Sequence, residues 1–379
     1  MVLSKLFTGF FESERAGGVT LVACTALSLT LANLLPGYAG FWDTNFGGHT
    51  LVHWINDGLM AIFFLLIGLE LEREIYAGEL SSIKAALLPV SAALGGILIP
   101  AGLYMMLNYN TPLQSGAGIP MATDIAFAIG ILSLLGSRVP AALKVFITAF
   151  AIADDIGAIL IIAFFYTQSL SWIYLLCSLG IFAILGVFNR LKVYKLLPYL
   201  VGGFAMWYCM LHSGVHASIT GVLLAFAIPF GNGDEQSISY KLQHFLHIPV
   251  AFFILPIFAL ANTAIPILPG WEKALGEPQN IGIALGLIIG KPLGITLFSL
   301  MILKAGYADM PEGLNMKSIL GAGLLGGIGF TMSIFICMLA FPDAVLINNA
   351  KIMILISSFI AGTGGYIYLR KVLKPIGSI

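Results

Sequence analysis

Between residues 15 and 369 the chain is a succession of apolar stretches joined by short polar links, and that repetition constrains the fold more than any other feature. A helix of about 20 apolar residues crosses the hydrocarbon core of a bilayer. Candidate spans lie near 15–34, 52–72, 86–107, 118–136, 143–166, 171–188, 197–211, 215–230, 246–262, 281–303, 319–341 and 349–369, with those near 197–211 and 215–230 short. In lipid every backbone N–H and C=O must find a partner, which leaves helices for spans of this length. Apolar residues make up 59% of the chain and charged residues 9%, against about 25% charged in a soluble domain. The expected fold class is therefore all-α and polytopic, with about twelve transmembrane helices in a single membrane domain over residues 1–379. The links leave no room for a second, soluble domain.

Lysine and arginine positions test this division independently. With the N-terminus inside, inner segments hold Lys5, Arg15, Arg73, Lys84, Arg138, Lys144, Arg190, Lys192, Lys195, Lys241, Lys304, Lys317, Arg370, Lys371 and Lys374. Outer segments hold Lys273 and Lys351, and Lys291 falls inside a span. Positive residues accumulate on the cytoplasmic side, so both termini are expected there. Net charge is zero and there is no basic block, which argues against nucleic acid as a partner. Cys24, Cys177, Cys209 and Cys337 stand singly in apolar surroundings and read as small packing residues. No short apolar core with a small-residue cleavage site precedes the first span, so a removable signal peptide is not expected.

Against this background a few charges are out of place. Asp124 lies in GIPMATDIAFAIGIL, Asp154 and Asp155 are adjacent in ITAFAIADDIGAILIIAFF, and Lys291 lies in GLIIGKPLGITLF. A charge at mid-bilayer costs about 2.5–3.5 kcal/mol even on insertion scales. Four unpaired would cost on the order of 10 kcal/mol, so they must face one another or a water-filled cavity. Adjacent side chains on a helix point about 100° apart. One of Asp154 and Asp155 can thus meet a cation on another helix while its neighbour faces a cavity, and Lys291 is the intramembrane cation available. Close carboxylates titrate as a coupled set and supply the oxygen ligands that hard cations prefer. A site that accepts H⁺ or Na⁺ but not both is the minimum apparatus for exchange. A structural salt bridge is the plainer alternative.

Two spans carry helix breakers at their centres. The fourth has Gly118 and Pro120 before Thr123-Asp124, and the eleventh has Gly326, Gly327 and Gly329 before Thr331 and Ser333. Irregular backbone at membrane depth is tolerated only where protein or a cavity satisfies it, and interrupted helices in corresponding positions of two halves point to a transporter's ion site. Spans four and eleven run in opposite directions, which fits inverted repeats over about 86–166 and 281–369. Facing half-helix ends would present like partial charges, which Asp124 could neutralise at N-termini and Lys291 at C-termini. Close helix packing is the alternative reading of the glycines in the eleventh span.

The runs NDGLMAIFFLLIGLELERE, ATDIAFAIGIL, FAIADDIGAI, SGVHASITGV, IGKPLGI and GIGFTMSIFI resemble the bacterial NhaA-type Na⁺/H⁺ antiporters, over about residues 10 to 372. That family is itself a known inverted-repeat transporter, so the architecture is not independent of the resemblance. The resemblance implies twelve helices with two crossed discontinuous helices, spans 4 and 11, in an inner-membrane homodimer. It implies pH-activated, electrogenic exchange of Na⁺ or Li⁺ for a larger number of protons, with no cofactor. By matching motif, Asp155 and Asp154 form the ion-binding pair, with Asp155 the more direct Na⁺ ligand. Lys291 partners Asp154, and Thr123 and Asp124 belong to the crossing. The family's pH response implicates Glu70, Arg73, His216, His244 and His247, histidine being the side chain that titrates between about pH 5 and 8. Ordinary hydrogen bonding is the alternative for these histidines. Gln243 stands where well-known members carry Glu, removing one titratable group. Asp57 either lines an outer funnel or serves capping and packing. Segment 38–50, in the first outer loop, is where the family forms a dimerising hairpin; the sequence alone is equally compatible with an irregular loop.

An intramembrane aspartyl protease would also place carboxylates on neighbouring spans, but neither MATD nor AIAD forms its GxGD run. A sodium-coupled symporter of an organic anion would need cavity cations beyond Lys291. Nothing resembles a channel filter.

Overall fold

The computed structural model describes residues 2–167, 170–267 and 269–373, with side chains from residue 16 onward. Lys374, the side chains of Lys5 and Arg15, and the chain ends expected in the cytoplasm lie outside the described residues.

The helices that matter below are α1 (Val2–Leu34), α2 (Leu51–Ala77), α3 (Ile83–Asn108), α4 (Ile125–Ser133), α5 (Ala141–Phe165), α6 (Trp172–Arg190), α7 (Leu196–Leu211), α8 (Ile219–Ala227), α9 (Ile238–Asn262), α10 (Pro278–Lys304), α11 (Met316–Gly326), α12 (Phe330–Ala340) and α13 (Ala344–Val372). Among the described residues nine helical segments are long and apolar enough to cross a membrane, and the α11–α12 pair, bent by 49°, makes a tenth if taken as one span. The spans expected near 197–211 and 215–230 are α7, of 16 residues, and α8, of 9 residues. Each is shorter than the about 20 residues a full crossing needs. One departure from an all-α fold occurs in the first loop: Asn45–Phe46 pairs antiparallel with His49–Thr50. Gly47 and Gly48, both at positive φ, supply the turn that this two-residue hairpin requires.

Helix starts follow local chemistry. Ser82, Asn315 and Asp343 cap α3, α11 and α13 by accepting backbone N–H groups of the first turn, as short polar side chains do where four donors lack intrahelical partners.

The chain divides into two compact units. The first comprises residues 1–23, 82–158 and 265–379 and takes in nearly all of both expected repeat segments, 86–166 and 281–369. Its centre is a seam between α3 and α10. A Cβ on Gly294 would sit against the carbonyl oxygen of Gly95, and a Cβ on Gly95 against that of Gly294. Gly290 likewise lies on the Pro100 backbone, and the Ser91 hydroxyl donates to Phe298 O at 3.0 Å. In lipid there is little hydrophobic drive between helices, so small residues that admit backbone contact carry the packing.

Because the neighbour at this seam is backbone, it cannot rotate away from an added methyl. Gly294→Ala is expected to destabilise the protein by about 1–3 kcal/mol, the range for overpacking. Gly102→Ala, on α3 with open space around it, is expected to be neutral or stabilising by about 0.5–1 kcal/mol. Thermal unfolding of the purified variants in detergent compares them; equal melting temperatures would contradict the seam.

The second unit comprises residues 24–81 and 159–264. Here α8 lies on α2, with Gly221 against the Ala61 carbonyl and Gly68 against Val222 and Ala225. A π-helical turn at Ile55–Leu59 interrupts α2. The hairpin is held to it by Trp54 Nε1, which donates to Phe46 O at 2.7 Å. Trp207 of α7 donates to the Asp57 carbonyl at 2.9 Å.

Candidate functional site

The displaced charges of the sequence all fall in the first unit, and all are buried. Asp154 and Asp155 occupy the middle of α5, each 1% exposed; Lys291 is 0%, Thr123 1% and Asp124 2% exposed. Lys291 follows a π-helical turn, Gly286–Gly290, within α10, a local widening that often marks functional positions. Its ammonium donates to Asp154 Oδ2 at 2.6 Å and to Thr123 Oγ1 at 2.9 Å. Asp154 Oδ1 has no hydrogen-bond partner among the described residues. Asp155, one residue on and about 100° around the helix, interacts electrostatically with Lys291.

Thr123 connects this pair to the broken helices. Residues 122–124 are extended between a 3₁₀ segment, Gln114–Met121, and α4. The Thr123 hydroxyl donates to Gly326 O, at the end of α11, at 2.8 Å. Asp124 N donates to Ile328 O at 2.7 Å, and the Ser333 hydroxyl to Ile119 O at 2.7 Å. The two breaks therefore satisfy each other's backbone, which is what makes irregular chain tolerable at this depth.

Asp124 performs in mid-span the capping that Ser82 and Asp343 perform at span ends. Its Oδ1 accepts Phe127 N of α4 at 3.0 Å, while its Oδ2 accepts Thr331 N of α12 at 3.1 Å and the Thr331 hydroxyl. One carboxylate thus sits at two helix N-termini, whose partial positive charges favour an anion. Lys291 meets Asp154, the partner that the resemblance implies, and its bond to the Thr123 hydroxyl links it in turn to Gly326 O at the end of α11.

A site with three carboxylates against one ammonium attracts cations. Because all four groups are buried, their charges interact far more strongly than in water. Protonating a carboxylate, or placing a cation on it, relieves the same excess of negative charge.

The residues implicated in pH response lie in the second unit. The Arg73 guanidinium lies 5.0 Å from the centre of the Tyr240 ring, and Tyr240 stacks on His244 with centroids 6.3 Å apart. Glu70 and His247 lie on the same helices, α2 and α9. His216 belongs to a separate group. It interacts electrostatically with His53, whose Nδ1 lies 3.2 Å from Asp57 Oδ2 and whose ring stacks on His49 at 4.2 Å.

Sequence reasoning missed Ser358, 7% exposed on α13, whose hydroxyl accepts Phe330 N at 3.1 Å. It also missed the burial of Glu72, 3% exposed on α2, which sits in a charged run that looks like a solvated helix end. For Ser358 the available signal was a hydroxyl in an apolar span; for Glu72 there was none.

The family model described as Na⁺/H⁺ antiporter 1 matches residues 8–369. The Na⁺/H⁺ antiporter NhaA of Flavobacterium psychrophilum is 62% identical over 376 residues, covering 99% of this chain and 98% of that protein. NhaA 1 of Flavobacterium johnsoniae is 61% identical over 375 residues, 98% of each chain. NhaA of Dechloromonas aromatica is 57% identical over 373 residues, 97% of this chain and 96% of that one. With matches of this extent, a helical membrane architecture and a buried cluster of carboxylates and lysine beside its interrupted spans, the chain belongs to the Na⁺/H⁺ antiporter 1 family.

Proposed function

We propose that this protein is a secondary transporter of the cytoplasmic membrane that exchanges internal Na⁺ or Li⁺ for external H⁺ at Asp155 and Asp154. The observation that carries the reading is the buried carboxylate pair, with Lys291 bonded to one member at 2.6 Å and to Thr123 at 2.9 Å. Family membership and the names of the relatives supply the ion identities.

In the proton-loaded form, negative charge at the pair is neutralised by protons and by the Lys291 ammonium. A sodium ion needs oxygen ligands, and Asp155, Asp154 and the Thr123 hydroxyl offer them. Its entry expels protons and weakens the hold of Lys291 on Asp154. Because several groups share the change, the protons belong to the coupled set rather than to one residue. When more protons than sodium ions are exchanged, each cycle moves net charge and the rate responds to voltage. Asp124 keeps its place at the two helix N-termini throughout, so that their dipoles remain compensated.

Activation by pH is assigned to Glu70, Arg73, His216, His244 and His247, and homodimer formation to the hairpin at 45–50. Both termini are placed in the cytoplasm by the distribution of Lys and Arg.

The deciding experiment uses sealed proteoliposomes with a pre-set pH gradient and a pH-sensitive dye. Na⁺, Li⁺ and K⁺ are added in turn, with the membrane potential clamped or unclamped. Collapse of the gradient by Na⁺ and Li⁺ but not K⁺, with a rate that depends on voltage, is expected. No response between about pH 6 and 9 from folded protein, an interval that overlaps the range in which histidine titrates, would overturn the reading.

A further inference from the structure

We propose that Ser358 is a positioning residue for the exchange reaction: its hydroxyl caps α12 and lets the single carboxylate of Asp124 serve α4 and α12 together. This inference rests on the exchange reading above and deepens it.

The N-terminus of α12 has two successive donors directed away from its own helix. Phe330 N is taken by Ser358 Oγ at 3.1 Å, and Thr331 N by Asp124 Oδ2 at 3.1 Å. The other carboxylate oxygen, Oδ1, is committed to Phe127 N of α4. Phe330 is 3% exposed, and a buried donor left without a partner is costly. Ser358 is fixed relative to this terminus by close packing of α13 on the break. Ala361 lies 3.1 Å from the Cβ direction of Gly327, and Gly362 and Gly365 meet Ile328 and Leu325 in the same way.

Without the Ser358 hydroxyl, the buried Phe330 N–H is left unsatisfied. The Asp124 carboxylate, bound to Thr331 on the adjoining residue, is an acceptor at the same terminus. Drawing Asp124 toward α12 lengthens its bond to Phe127 N. It also displaces the extended 122–124 segment, which is tied to the break by Asp124 N–Ile328 O and Thr123 Oγ1–Gly326 O. Thr123 shares the Lys291 ammonium with Asp154. Once Thr123 withdraws, Asp154 is the remaining hydrogen-bond partner of that ammonium, and Na⁺ has to compete with a cation held more closely to the carboxylate pair. The expected defect is in sodium affinity, with turnover at saturation retained.

The test is sodium titration of exchange in proteoliposomes for the unsubstituted protein, Ser358→Ala, Ser358→Thr and Ser358→Cys. Ser358→Ala is expected to raise the KM for Na⁺ by about five- to tenfold, the size of one lost neutral hydrogen bond, with the maximal rate kept within about twofold. Ser358→Thr, which keeps the hydroxyl, is expected to restore the KM, and Ser358→Cys, a weaker acceptor, to fall between. An unchanged KM in Ser358→Ala beside a lowered melting temperature would make the serine purely structural and overturn the inference. Equal defects in Ser358→Thr and Ser358→Ala would do the same. If Ser358→Ala does not fold, Ser358→Cys decides, an unchanged KM again being fatal. Absence of exchange in the unsubstituted protein would overturn the exchange reading and this inference with it, whereas exchange with an unaltered variant KM overturns this inference alone.

Discussion

Asparagine in place of Asp155 is expected to reduce Na⁺-driven proton movement to the level of protein-free vesicles while leaving the melting temperature nearly unchanged. The amide keeps the shape of the side chain but removes both properties that exchange requires. It carries no negative charge to replace the hydration of Na⁺, and it does not take up a proton in the physiological range. An opposite charge about 4 Å away at an effective dielectric of about 20 contributes about 4 kcal/mol, which is about a thousandfold in binding. Folding is spared because the change makes a buried site less charged, not more. Ordinary exchange by this variant would remove the carboxylate mechanism.

The second large effect is on stability. Lys291→Ala leaves Asp154, 1% exposed, without the ammonium that holds it at 2.6 Å. Breaking a buried ion pair from one side costs about 3–5 kcal/mol, because the remaining charge stays desolvated. Adding Asp154→Asn should recover much of that loss, since the double variant leaves no uncompensated charge, and removal of both partners is far milder than removal of one. Thermal unfolding of the two single variants and the double variant completes the cycle. Strict additivity would mean that the two residues do not couple, and an unchanged melting temperature in Lys291→Ala would contradict the pairing outright.

How far the sequence alone leads depends on which residues carry the information. The apolar runs are legible because the bilayer imposes a length on them, and among the described residues nine are helices long enough to span. Asp124, Asp154, Asp155 and Lys291 stand out because charge in such a run is costly. The sequence could not by itself say which of the two adjacent aspartates meets Lys291; the structure bonds it to Asp154. Thr331 was visible only as a polar neighbour of a break, and Thr123 also through the resemblance, as part of the crossing. Their acceptors are another matter. Gly326 O, Ile328 O and Ile119 O are backbone atoms, and nothing in a residue's name says which carbonyl a break will expose. Ser358 is hidden for a related reason: a serine in a helix can bond its own preceding turn, so its use as a cap for another helix leaves no trace in the pattern. Glu72 misleads in the other direction, because the alternation in LELERE reads as a helix end in water, yet the side chain is 3% exposed.

The seam at Gly95 and Gly294 bears on how any transport cycle can be built within the first unit. Side chains between two helices act as bearings, since rotamer changes let one surface slide over the other. Where Gly95 meets Gly294, peptide lies on peptide, and at that point no rotamer is available to take up a shift. Sliding of α3 past α10 is resisted at this point. On the exchange reading proposed above, a change in the Lys291–Asp154 contact then falls to α5 and the two broken segments. On that reading the two glycines set the spacing of the helix pair that carries Lys291, and a methyl group there would alter geometry before it touched chemistry.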